Sequence, residues 1–482
     1  NGNVSRLNGN ARPLNGNARP LNGNSRFLNG NGCRLNEGGR GLCEDGRMVH
    51  TADAVVVGAG VIGSSIALEL ARDGRSVVVL DKAGGIGHGS TSASSAIVRF
   101  NYSTWEGVAL SWEGLHGWRQ WEKHLGHRDS TGLATFQRTG LVLLTADADG
   151  HGRSCDLFDR AGIPWESWSP DELRRHLPAL DVGSFGPPKP VSSEEFFAPP
   201  TGEVHGLFTP DAGYVSDPSL AAHNLANAAQ HHGATYLLRR RVTSIEQTAT
   251  QVWRLTTADG DVVEAPVVVN AAGPWSGQVN RMAGVGTDFT VATRPLRQEV
   301  HQVTAPQAFS TDAAPGAILA DLDLGTYIRP VAGDAVLVGG TEPECDPLEW
   351  VSDPDGVSPY PTPERFTAQI TRAARRLPEL RVPNRPTGVA AAYDVSNDWT
   401  PLYDRTDRRG FYVAIGTSGN QFKNAPVVGL LMARLVSAVE DGHDHDATPV
   451  RVRLPRTGHT VSLGGFSRLR QVADGAPASV MG

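Results

Sequence analysis

The sequence predicts an α/β protein in which buried parallel strands alternate with helices, and three observations support this fold class. Short uninterrupted apolar runs at 55–57 and 77–80 are typical of parallel strands that are covered on both faces. Between them, apolar residues recur at helical spacing at Ile62, Ile66 and Leu70. Glycine-rich turns follow apolar runs at several further points of a chain that has 55 glycines in 482 residues, a length that favours two domains.

Composition and charge argue against several classes of protein. A net charge of -7 disfavours a surface for nucleic acids or anionic membranes, and no apolar run approaches the ~20 residues of a membrane span. There is no basic start followed by an apolar segment, so no secretory signal is expected. The four cysteines are scattered without metal-ligand spacing, so we expect a cytoplasmic protein without disulfides and without a metal site.

The first fifty residues differ from the rest of the chain. The string LNGN begins at 7, 14, 21 and 28, and LNEG follows at 35, which gives a period of seven. A coiled coil shares this period but needs two apolar positions per heptad, whereas each repeat here offers one leucine. Such a segment buries too little apolar surface to offset the entropy of ordering it. We predict a disordered Asn/Gly repeat tail over 1–50 rather than a folded or partner-binding segment.

The end of the first apolar run has the pattern of a dinucleotide-binding turn. Gly58, Gly60 and Gly63 form G-x-G-x-x-G between a strand and a helix, and Asp81 ends the second strand, 18 residues after the third glycine. The first two glycines let the backbone approach a pyrophosphate, and the helix start offers N–H groups to the phosphates. The acidic residue accepts a hydrogen bond from a ribose hydroxyl and disfavours a 2′-phosphate, so we expect FAD or NAD rather than NADP.

Later segments favour FAD over NAD. A run of small residues at 87–103 follows the second strand, and an apolar strand opens into a small-residue turn at 267–277. A strand, a glycine turn and a helix follow again at 410–436. A nicotinamide site more often closes within about 150 residues, so turns spread this widely indicate one long cofactor that several segments contact.

These motifs together resemble those of the FAD-dependent amine and amino-acid oxidoreductases of the D-amino-acid oxidase superfamily, in particular the sarcosine oxidase and dimethylglycine dehydrogenase branch. The resemblance covers about residues 53–440 and rests on VVVGAGVIGSSIALELARDG, GSTSASSAIVRFNY, GYVSDP, VVNAAGPWS, GTYIRP and YDVSNDWTPLYD followed by GTSGNQFKNAPVVG. It implies a discontinuous Rossmann-like FAD-binding domain over 51–138, 206–284 and 388–450. A second, substrate domain built on a mixed β-sheet would take 139–205 and 285–387, and 451–482 would form a C-terminal tail.

The resemblance also implies that Arg99, in IVRF, and Lys423, in NQFK, hold the carboxylate of the substrate. The composition supports a special role for Lys423, because the chain has four lysines against forty arginines and none between Lys189 and Lys423. A charge-assisted anchor for the carboxylate would hold the α-carbon of an amino acid under flavin N5. The alternative is that Arg99 pairs with a structural acid and that Lys423 is solvated.

Further site residues are implied by the same motifs. Tyr102 and Tyr393 match aromatic residues of the family's substrate pocket and could equally belong to the core. His301 follows the strand that begins the substrate-facing sheet, although a lone histidine is more often structural. Asp398 is expected to shape the turn ahead of Pro401. The residues expected to contact the cofactor are Gly58, Gly60, Val61, Gly63, Asp81, Lys82, Ser90, Thr91, Ser92, Val242, Ala272, Gly273, Trp275, Gly416, Gly419, Asn420, Gln421, Phe422 and Lys423.

Two departures from the family's pattern bear on the cofactor and on the electron acceptor. The cysteine that tethers flavin in monomeric sarcosine oxidases is absent ahead of Cys345, and His88 is out of register with the tethering histidine of dimethylglycine dehydrogenases. We therefore predict non-covalent FAD. The oxidases also hold a lysine near flavin N5 that stabilises developing superoxide, and this chain has none from 190 to 422. Oxygen and another electron acceptor both remain open, and Arg294 or Arg297 could supply the cation instead.

The sequence thus predicts an FAD-dependent oxidoreductase that oxidises the C–N bond of a small amino acid, with an N-methylated secondary or tertiary amine as the expected substrate. Hydride transfer to flavin N5 would be followed by hydrolysis of the imine. A 2-hydroxy-acid or glycerol-phosphate dehydrogenase on the same scaffold would keep the same anion-binding residues. A non-catalytic flavoprotein subunit of an assembly would keep only the fold. The sequence does not indicate an oligomeric state.

Overall fold

The computed structural model describes residues 26–27, 34–35, 40–42, 48–147 and 152–472. In these ranges the α-helices are Val61–Arg72, Trp105–Arg119, Trp121–Leu125, Gly152–Ala161, Pro170–His176, Pro218–His231, Ser276–Ala283, Pro363–Arg376 and Ala425–Glu440. Short 3-10 helices lie at Glu194–Phe197, Gly273–Trp275, Pro354–Gly356, Phe422–Asn424 and Leu463–Phe466.

A six-stranded sheet contains both of the parallel strands that the apolar runs predicted. In spatial order its strands are Thr235–Leu237, Val77–Leu80, Ala54–Val57, Val267–Asn270, Phe411–Ile415 and Leu402–Arg405. The first five are parallel, and the last pairs antiparallel with its neighbour. The strand order reverses between Ala54–Val57 and Val267–Asn270, and ligands of such sheets bind at this point, outside the carboxyl ends of the strands.

Alternate residues of the first strand contribute to two separate cores, because successive side chains of a strand point to opposite faces. Val56 packs in the core that contains the helices, whereas Val55 and Val57 pack with residues of a second, seven-stranded sheet. The helix Val61–Arg72 contacts both Pro218–His231 and Ala425–Glu440. This double coverage explains why the strand is an uninterrupted apolar run.

The last of these helices passes a length and composition test for a membrane span. Among the described residues, Phe422–Glu440 is long and apolar enough to cross a membrane, which the sequence analysis did not recognise. Of this window, 72% is buried inside the protein. The core helix of a water-soluble protein passes the same test, so the match is weak evidence for a membrane.

A nine-stranded mixed sheet forms the second large layer. Its strands are Glu166–Trp168, His205–Thr209, Leu141–Thr145, Ile318–Asp321, Thr326–Val331, Ala335–Gly340, Thr293–Thr304 and Glu349–Trp350, with Gly388–Ser396 paired to Thr293–Thr304. Two of these strands, His205–Thr209 and Gly388–Ser396, lie inside or at the edge of segments that the sequence analysis assigned to the FAD-binding domain. The boundaries of the two domains therefore stay a prediction.

The seven-stranded sheet contains the described parts of the N-terminal repeat. Its order is Arg26–Phe27, Arg34–Leu35, Arg40–Leu42, Met48–Thr51, Val262–Ala265, Trp253–Thr257 and Val242–Gln247. The first four strands pair antiparallel, although they lie in or at the edge of the segment predicted to be disordered. Asn-Gly pairs recur along this part of the sequence, and such pairs favour hairpin turns. The rest of 1–47 lies outside the described residues, so disorder there stays a prediction.

Smaller sheets complete the fold, including one in the predicted C-terminal tail. Their strands are Ile97–Val98, Gly213–Val215 and Phe136–Arg138, then Gly183–Ser184 with Gly202–Glu203, and Arg451–Arg453 with Thr460–Ser462. Beyond the last pair, the Arg470 guanidinium donates to both carboxylate oxygens of Asp398 at 2.7 and 2.8 Å. The same carboxylate accepts from the Thr400 N–H, so Asp398 does shape the turn ahead of Pro401. Residues 473–482 lie outside the described residues.

Candidate active site

A cavity of about 480 Å³ opens where the parallel strands end. Val57, Leu80 and Ala271, at or beside the carboxyl ends of three neighbouring strands, contribute to its wall. Fourteen of the residues expected to contact the cofactor line it: Gly58, Gly60, Val61, Asp81, Lys82, Ser90, Thr91, Val242, Ala272, Gly273, Trp275, Gly419, Gln421 and Phe422. Gly63, Ser92 and Gly416 lie outside this wall, and Asn420 and Lys423 line an adjoining smaller cavity.

The first and third glycines of the motif have different steric roles. Gly58 has φ +115°, and a Cβ built on it would lie 2.3 Å from the carbonyl oxygen of Ala271. A Cβ on Gly63 would lie 1.9 Å from the carbonyl oxygen of Gly58. Gly63 therefore lets the helix pack on the turn and does not need to line the cavity, as expected for the third glycine of this pattern.

Side chains fix the loops around the start of the helix. The Asp81 carboxylate accepts from the N–H groups of Ala59 and Ala83, each at 2.7 Å. The Thr91 hydroxyl accepts from the Val61 N–H at 3.1 Å, at the first residue of the helix. The loop at 87–95 is thereby held against the glycine turn, which explains why its small residues lie on the cavity wall.

An acid that does not itself line the cavity links three residues of the cavity wall. Asp355, in the 3-10 helix Pro354–Gly356, accepts from Trp275 Nε1 and Arg241 Nη1, each at 3.0 Å, and from the Lys82 ammonium. The same ammonium lies 3.6 Å from the centroid of the Trp275 ring. These three partners of Asp355 all line the cavity near Asp81, so a single carboxylate connects these parts of the wall.

Lys423 is buried in the turn that follows the strand Phe411–Ile415. This residue is 3% exposed, so its side chain is not solvated. The ammonium donates to the Tyr102 hydroxyl at 2.8 Å and to the Asn420 carbonyl oxygen at 2.6 Å. Burial holds the pKa of Lys423 well below its usual value, and the nearby Arg99 lowers it further.

Arg99 lies on the same small cavity, of about 50 Å³. It is 5% exposed, burial lowers its pKa, and its guanidinium carbon is 5.0 Å from the centroid of the Tyr102 ring. The small cavity shares with the large one Ser94, Ser95, Tyr327, Gly419 and Phe422. The two cations that the resemblance selected from distant parts of the sequence therefore line one pocket next to the large cavity.

The other three residues predicted at the substrate site occupy different positions. Tyr393 lines the large cavity and packs against Gly419, where an added Cβ would lie 2.8 Å from the ring. Tyr102 lines neither cavity, and burial raises its pKa to about 12 while its hydroxyl donates to the Asn420 carbonyl at 2.8 Å. His301 is fully buried beside Glu299, with 3.7 Å between Nε2 and the carboxylate, and burial lowers its pKa to about 4. It lines neither cavity, as expected for a structural histidine.

The turn that carries Lys423 is held by an acid that the sequence analysis did not single out. Asp394 is 2% exposed, and its carboxylate accepts from the Gly416 N–H and from the Thr417 hydroxyl. Its own carbonyl oxygen accepts from the Ser418 N–H at 2.7 Å. Burial raises the pKa of Asp394, and the hydrogen bonds from the turn oppose this effect. Gly416 thus contributes through its φ of +66° and its contact with Asp394 rather than by lining the cavity.

The arginines that could replace the missing lysine do not line the cavity. The Arg297 guanidinium donates to Glu299 at 2.6 Å and to Glu349 at 2.9 Å. The guanidinium carbon of Arg294 lies 4.6 Å from the centroid of the Trp350 ring. Neither arginine is among the residues that form the two cavity walls.

Two further cavity residues come from strands of the mixed sheet or the loops beside them. Tyr327 lines both cavities, and Glu342 lines the large one. Glu342 has φ +54°, a conformation that a residue with a side chain adopts rarely and that is common at functional sites. Tyr327 lies in the GTYIRP motif, which carried a usable signal, whereas nothing in VGGTEPE distinguishes Glu342 from a surface acid. In the described part of the chain, no group of three or more His, Cys, Asp or Glu could hold a metal ion.

Comparison with known families identifies the class of protein. The family model DAO, FAD dependent oxidoreductase, matches residues 53–435. The chain belongs to this family. Glycine oxidase from Geobacillus kaustophilus is 26% identical in an alignment of 414 positions that covers 82% of this chain and 96% of that enzyme. Human mitochondrial sarcosine dehydrogenase is 28% identical in an alignment of 386 positions that covers 76% of this chain but only 37% of the relative.

Solved structures confirm the fold class of this FAD-dependent oxidoreductase. The crystal structure of glycine oxidase from Geobacillus kaustophilus matches with a TM-score of 0.66 at 22% identity, over 88% of this chain and 100% of that one. L-proline dehydrogenase from P. horikoshii matches with a TM-score of 0.66 at 21% identity, over 82% of this chain and 94% of that one. The predicted α/β fold, the family and the FAD cofactor are therefore confirmed, while the substrate is not decided by these matches.

The chemistry of the large cavity's wall fits FAD. At one end Gly58 and Gly60 leave backbone exposed beside the start of a helix, where phosphates bind readily, and Asp81 lies at the end of the neighbouring strand. At the other end the turn with Gly419 and Phe422 forms the wall beside the small cavity. A cofactor with two nucleotide-like halves would contact both ends.

Proposed function

We propose that this flavoenzyme oxidises the carbon–nitrogen bond of a small amino acid, with an N-methylated secondary or tertiary amine as its preferred substrate. The observation that carries the proposal is the buried pair Arg99 and Lys423 on the wall of the small cavity. Two cations that are held out of water favour an anion of matching size, because a charge-assisted bond to a carboxylate offsets the cost of their burial. The names of sarcosine dehydrogenase, dimethylglycine dehydrogenase and 4-methylaminobutanoate oxidase among the relatives support an N-methylated amine.

Each side chain of the pocket has a defined part in this proposal. Bound FAD supplies the acceptor for a hydride equivalent, at N5 of its flavin. Arg99 and Lys423 bind the substrate carboxylate, and Tyr102 positions Lys423 through the hydrogen bond between its hydroxyl and the ammonium. Fixing the carboxylate orients the carbon that bears the nitrogen, which is how anchoring residues increase the rate. The oxidised substrate is an imine, which water hydrolyses to a carbonyl compound and an amine.

The cavity wall also bears on how FAD is held. Cys345 lines neither cavity, and its sulfur lies 3.2 Å from an Arg372 nitrogen. His88 does line the large cavity, so it is the side chain to test for a covalent bond to flavin. We propose non-covalent FAD, and acid precipitation should leave the yellow colour in the supernatant. Flavin that remains with the precipitated chain would contradict this proposal.

An anaerobic substrate screen tests the proposed function. The purified holoenzyme is mixed with sarcosine, dimethylglycine, glycine, proline and 2-hydroxyglutarate, and bleaching of the flavin absorbance is followed. We expect reduction by one or more of the amino acids and none by the hydroxy acid. Reduction by the hydroxy acid alone would favour a 2-hydroxy-acid dehydrogenase, and flavin that stays oxidised with all of them would favour a non-catalytic flavoprotein. Readmission of oxygen after reduction then separates an oxidase from a dehydrogenase.

A further inference from the structure

Glu342 brings a carboxylate to the part of the large cavity that adjoins the small one. It lies just after the strand Ala335–Gly340, and it lines the cavity together with Tyr327 and Tyr393. The Tyr393 hydroxyl donates to Glu342 Oε1 at 3.4 Å. Tyr327 also lines the small cavity that contains Arg99 and Lys423, so the carboxylate and the two cations face one continuous space.

The charges around this space have the arrangement of a zwitterion receptor. Lys423 and Arg99 are buried basic groups on one side, and Glu342 is close enough to Arg99 to oppose the lowering of its pKa by burial. The tyrosines between the charges, Tyr327 and Tyr393, are partly buried on the cavity wall. Desolvation there raises their pKa values, and Glu342 raises them further, so they are neutral. An amino acid carries its opposite charges on adjacent atoms, and it therefore matches a pocket with cations on one side and a carboxylate on the other.

The backbone at Glu342 indicates that its position is imposed by the surrounding structure. Its φ of +54° is unusual for a residue with a side chain, and Pro343 follows it. A Cβ on Gly325 would lie 2.6 Å from the Pro343 ring, so the proline packs closely on the turn before Thr326–Val331. This packing holds a strained residue in place, and strain of this kind tends to persist where a side chain must be aimed at a ligand.

We propose that Glu342 binds the amino group of the substrate and accepts its proton, which makes the enzyme selective for amino acids over hydroxy acids. The inference rests on the proposed function and adds the residue that recognises the nitrogen. In this step the N–H bond of the ammonium breaks and an O–H bond forms on the Glu342 carboxylate, and no electron is transferred. The neutral amine that results has the free electron pair that an amine needs before its carbon can lose a hydride.

The alternative explanation is that Glu342 only balances the charge of Arg99. A residue with that role would affect an amine ligand equally with an analogue that keeps the carboxylate but lacks the amine, because both bind to the same basic groups. A residue that contacts the amino group would affect the amine alone. The two roles can therefore be separated by a pair of ligands that differ only at the nitrogen.

Sarcosine and methoxyacetate form such a pair, because an ether oxygen in the second replaces the amine of the first. The wild-type holoenzyme and the variant Glu342→Gln are titrated anaerobically with each compound, and the change in the flavin spectrum gives the dissociation constant and, for sarcosine, the reduction rate. We expect the dissociation constant of sarcosine to rise by about tenfold or more, since a charge-assisted contact inside the cavity is lost. The dissociation constant of methoxyacetate should not change. The pH at which reduction is half-maximal should move upward, because only substrate that is already neutral would react.

The exposed Glu344, two residues further along the same loop, provides a matched control. Glu344→Gln should behave like the wild type with both ligands, and equal FAD content in both variants shows that they fold. Equal weakening of both ligands in Glu342→Gln, or no weakening of either, would overturn the assignment of Glu342 alone. A wild-type enzyme that is reduced by hydroxy acids and by no amino acid would overturn the proposed function and this inference together.

Discussion

Replacement of Lys423 by methionine should separate the contribution of this side chain to binding from its effect on stability. Methionine has a similar length and no charge, so the Lys423→Met variant removes the ammonium and fills most of the same volume. The substitution deletes the hydrogen bonds to the Tyr102 hydroxyl and to the Asn420 carbonyl. The Asn420 carbonyl keeps its hydrogen bond from Tyr102, so it is not left without a donor.

The expected effect on stability follows from the burial of the charge. Loss of the two hydrogen bonds lowers the free energy of unfolding by about 1 kcal/mol each. Replacing a buried charge with an apolar group of similar volume raises the free energy of unfolding by about 1–4 kcal/mol. We therefore expect the free energy of unfolding of Lys423→Met to lie between about 1 kcal/mol below and about 2 kcal/mol above that of the wild type. The pKa of Lys423 is lower in the folded than in the unfolded protein. Below the folded pKa the ammonium is charged in both states, so the full free-energy cost of burying the charge is present. This cost disappears as the pH rises from the folded to the unfolded pKa, so the stability of the variant relative to the wild type should decrease with rising pH.

The expected effect on catalysis has the opposite sign. Truncating one partner of a buried, hydrogen-bonded charge pair costs about 2–5 kcal/mol, which lowers kcat/KM by about thirtyfold to several thousandfold. Most of the effect should lie in KM, since the ammonium contacts the carboxylate and not the reacting bond. FAD content should be unchanged. The assays are anaerobic flavin reduction by the substrate that the screen identifies and thermal unfolding at several pH values.

The exposed Lys123 serves as the matched control, because Lys123→Met removes the same group from the surface. It should leave both kcat/KM and stability close to those of the wild type. The reasoning would be refuted if Lys423→Met kept its kcat/KM, since the ammonium then would not bind the substrate. A stability difference that stays constant as the pH rises, or that shifts further in favour of the variant, would refute the electrostatic part.

Three further outcomes are expected. Gly63→Ala should lose FAD and destabilise the fold, because its Cβ would lie 1.9 Å from the Gly58 carbonyl oxygen, whereas Gly152→Ala, with no atom within 4 Å, should change neither FAD content nor Tm. Asp355→Asn should release FAD faster, measured as the rise in free flavin fluorescence after dilution, because one carboxylate links three residues of the cavity wall; an unchanged rate would show that this contact is not part of FAD retention. Asp394→Asn should raise KM more than it lowers kcat, since the turn that carries the lysine loses an acceptor, and a variant with wild-type KM would contradict the positioning role.

The sequence by itself determined the dinucleotide-binding part of this protein. The apolar runs at 55–57 and 77–80, the helical spacing after Gly58 and the acid at Asp81 are local patterns, and local patterns are fixed by backbone geometry and burial alone. The parallel strands Ala54–Val57 and Val77–Leu80 and the helix Val61–Arg72 lie where these patterns placed them. Ser92 is the exception in this region, because the loop at 87–95 turns its side chain to the Gly89 carbonyl and presents Ser94 and Ser95 to the cavity.

Only the tertiary structure decided the environment of the charged groups. Lys423 and Tyr102 are 321 residues apart in the chain and form a hydrogen bond because the strand Phe411–Ile415 and the loop at 87–103 end at the same edge of the protein. The sequence offered Lys423 as a rare lysine but could not show its burial, which depends on what covers it. Glu342 and Asp355 carried no signal in the sequence. An acidic side chain can line a cavity or connect its wall only when the fold brings residues from distant segments next to it.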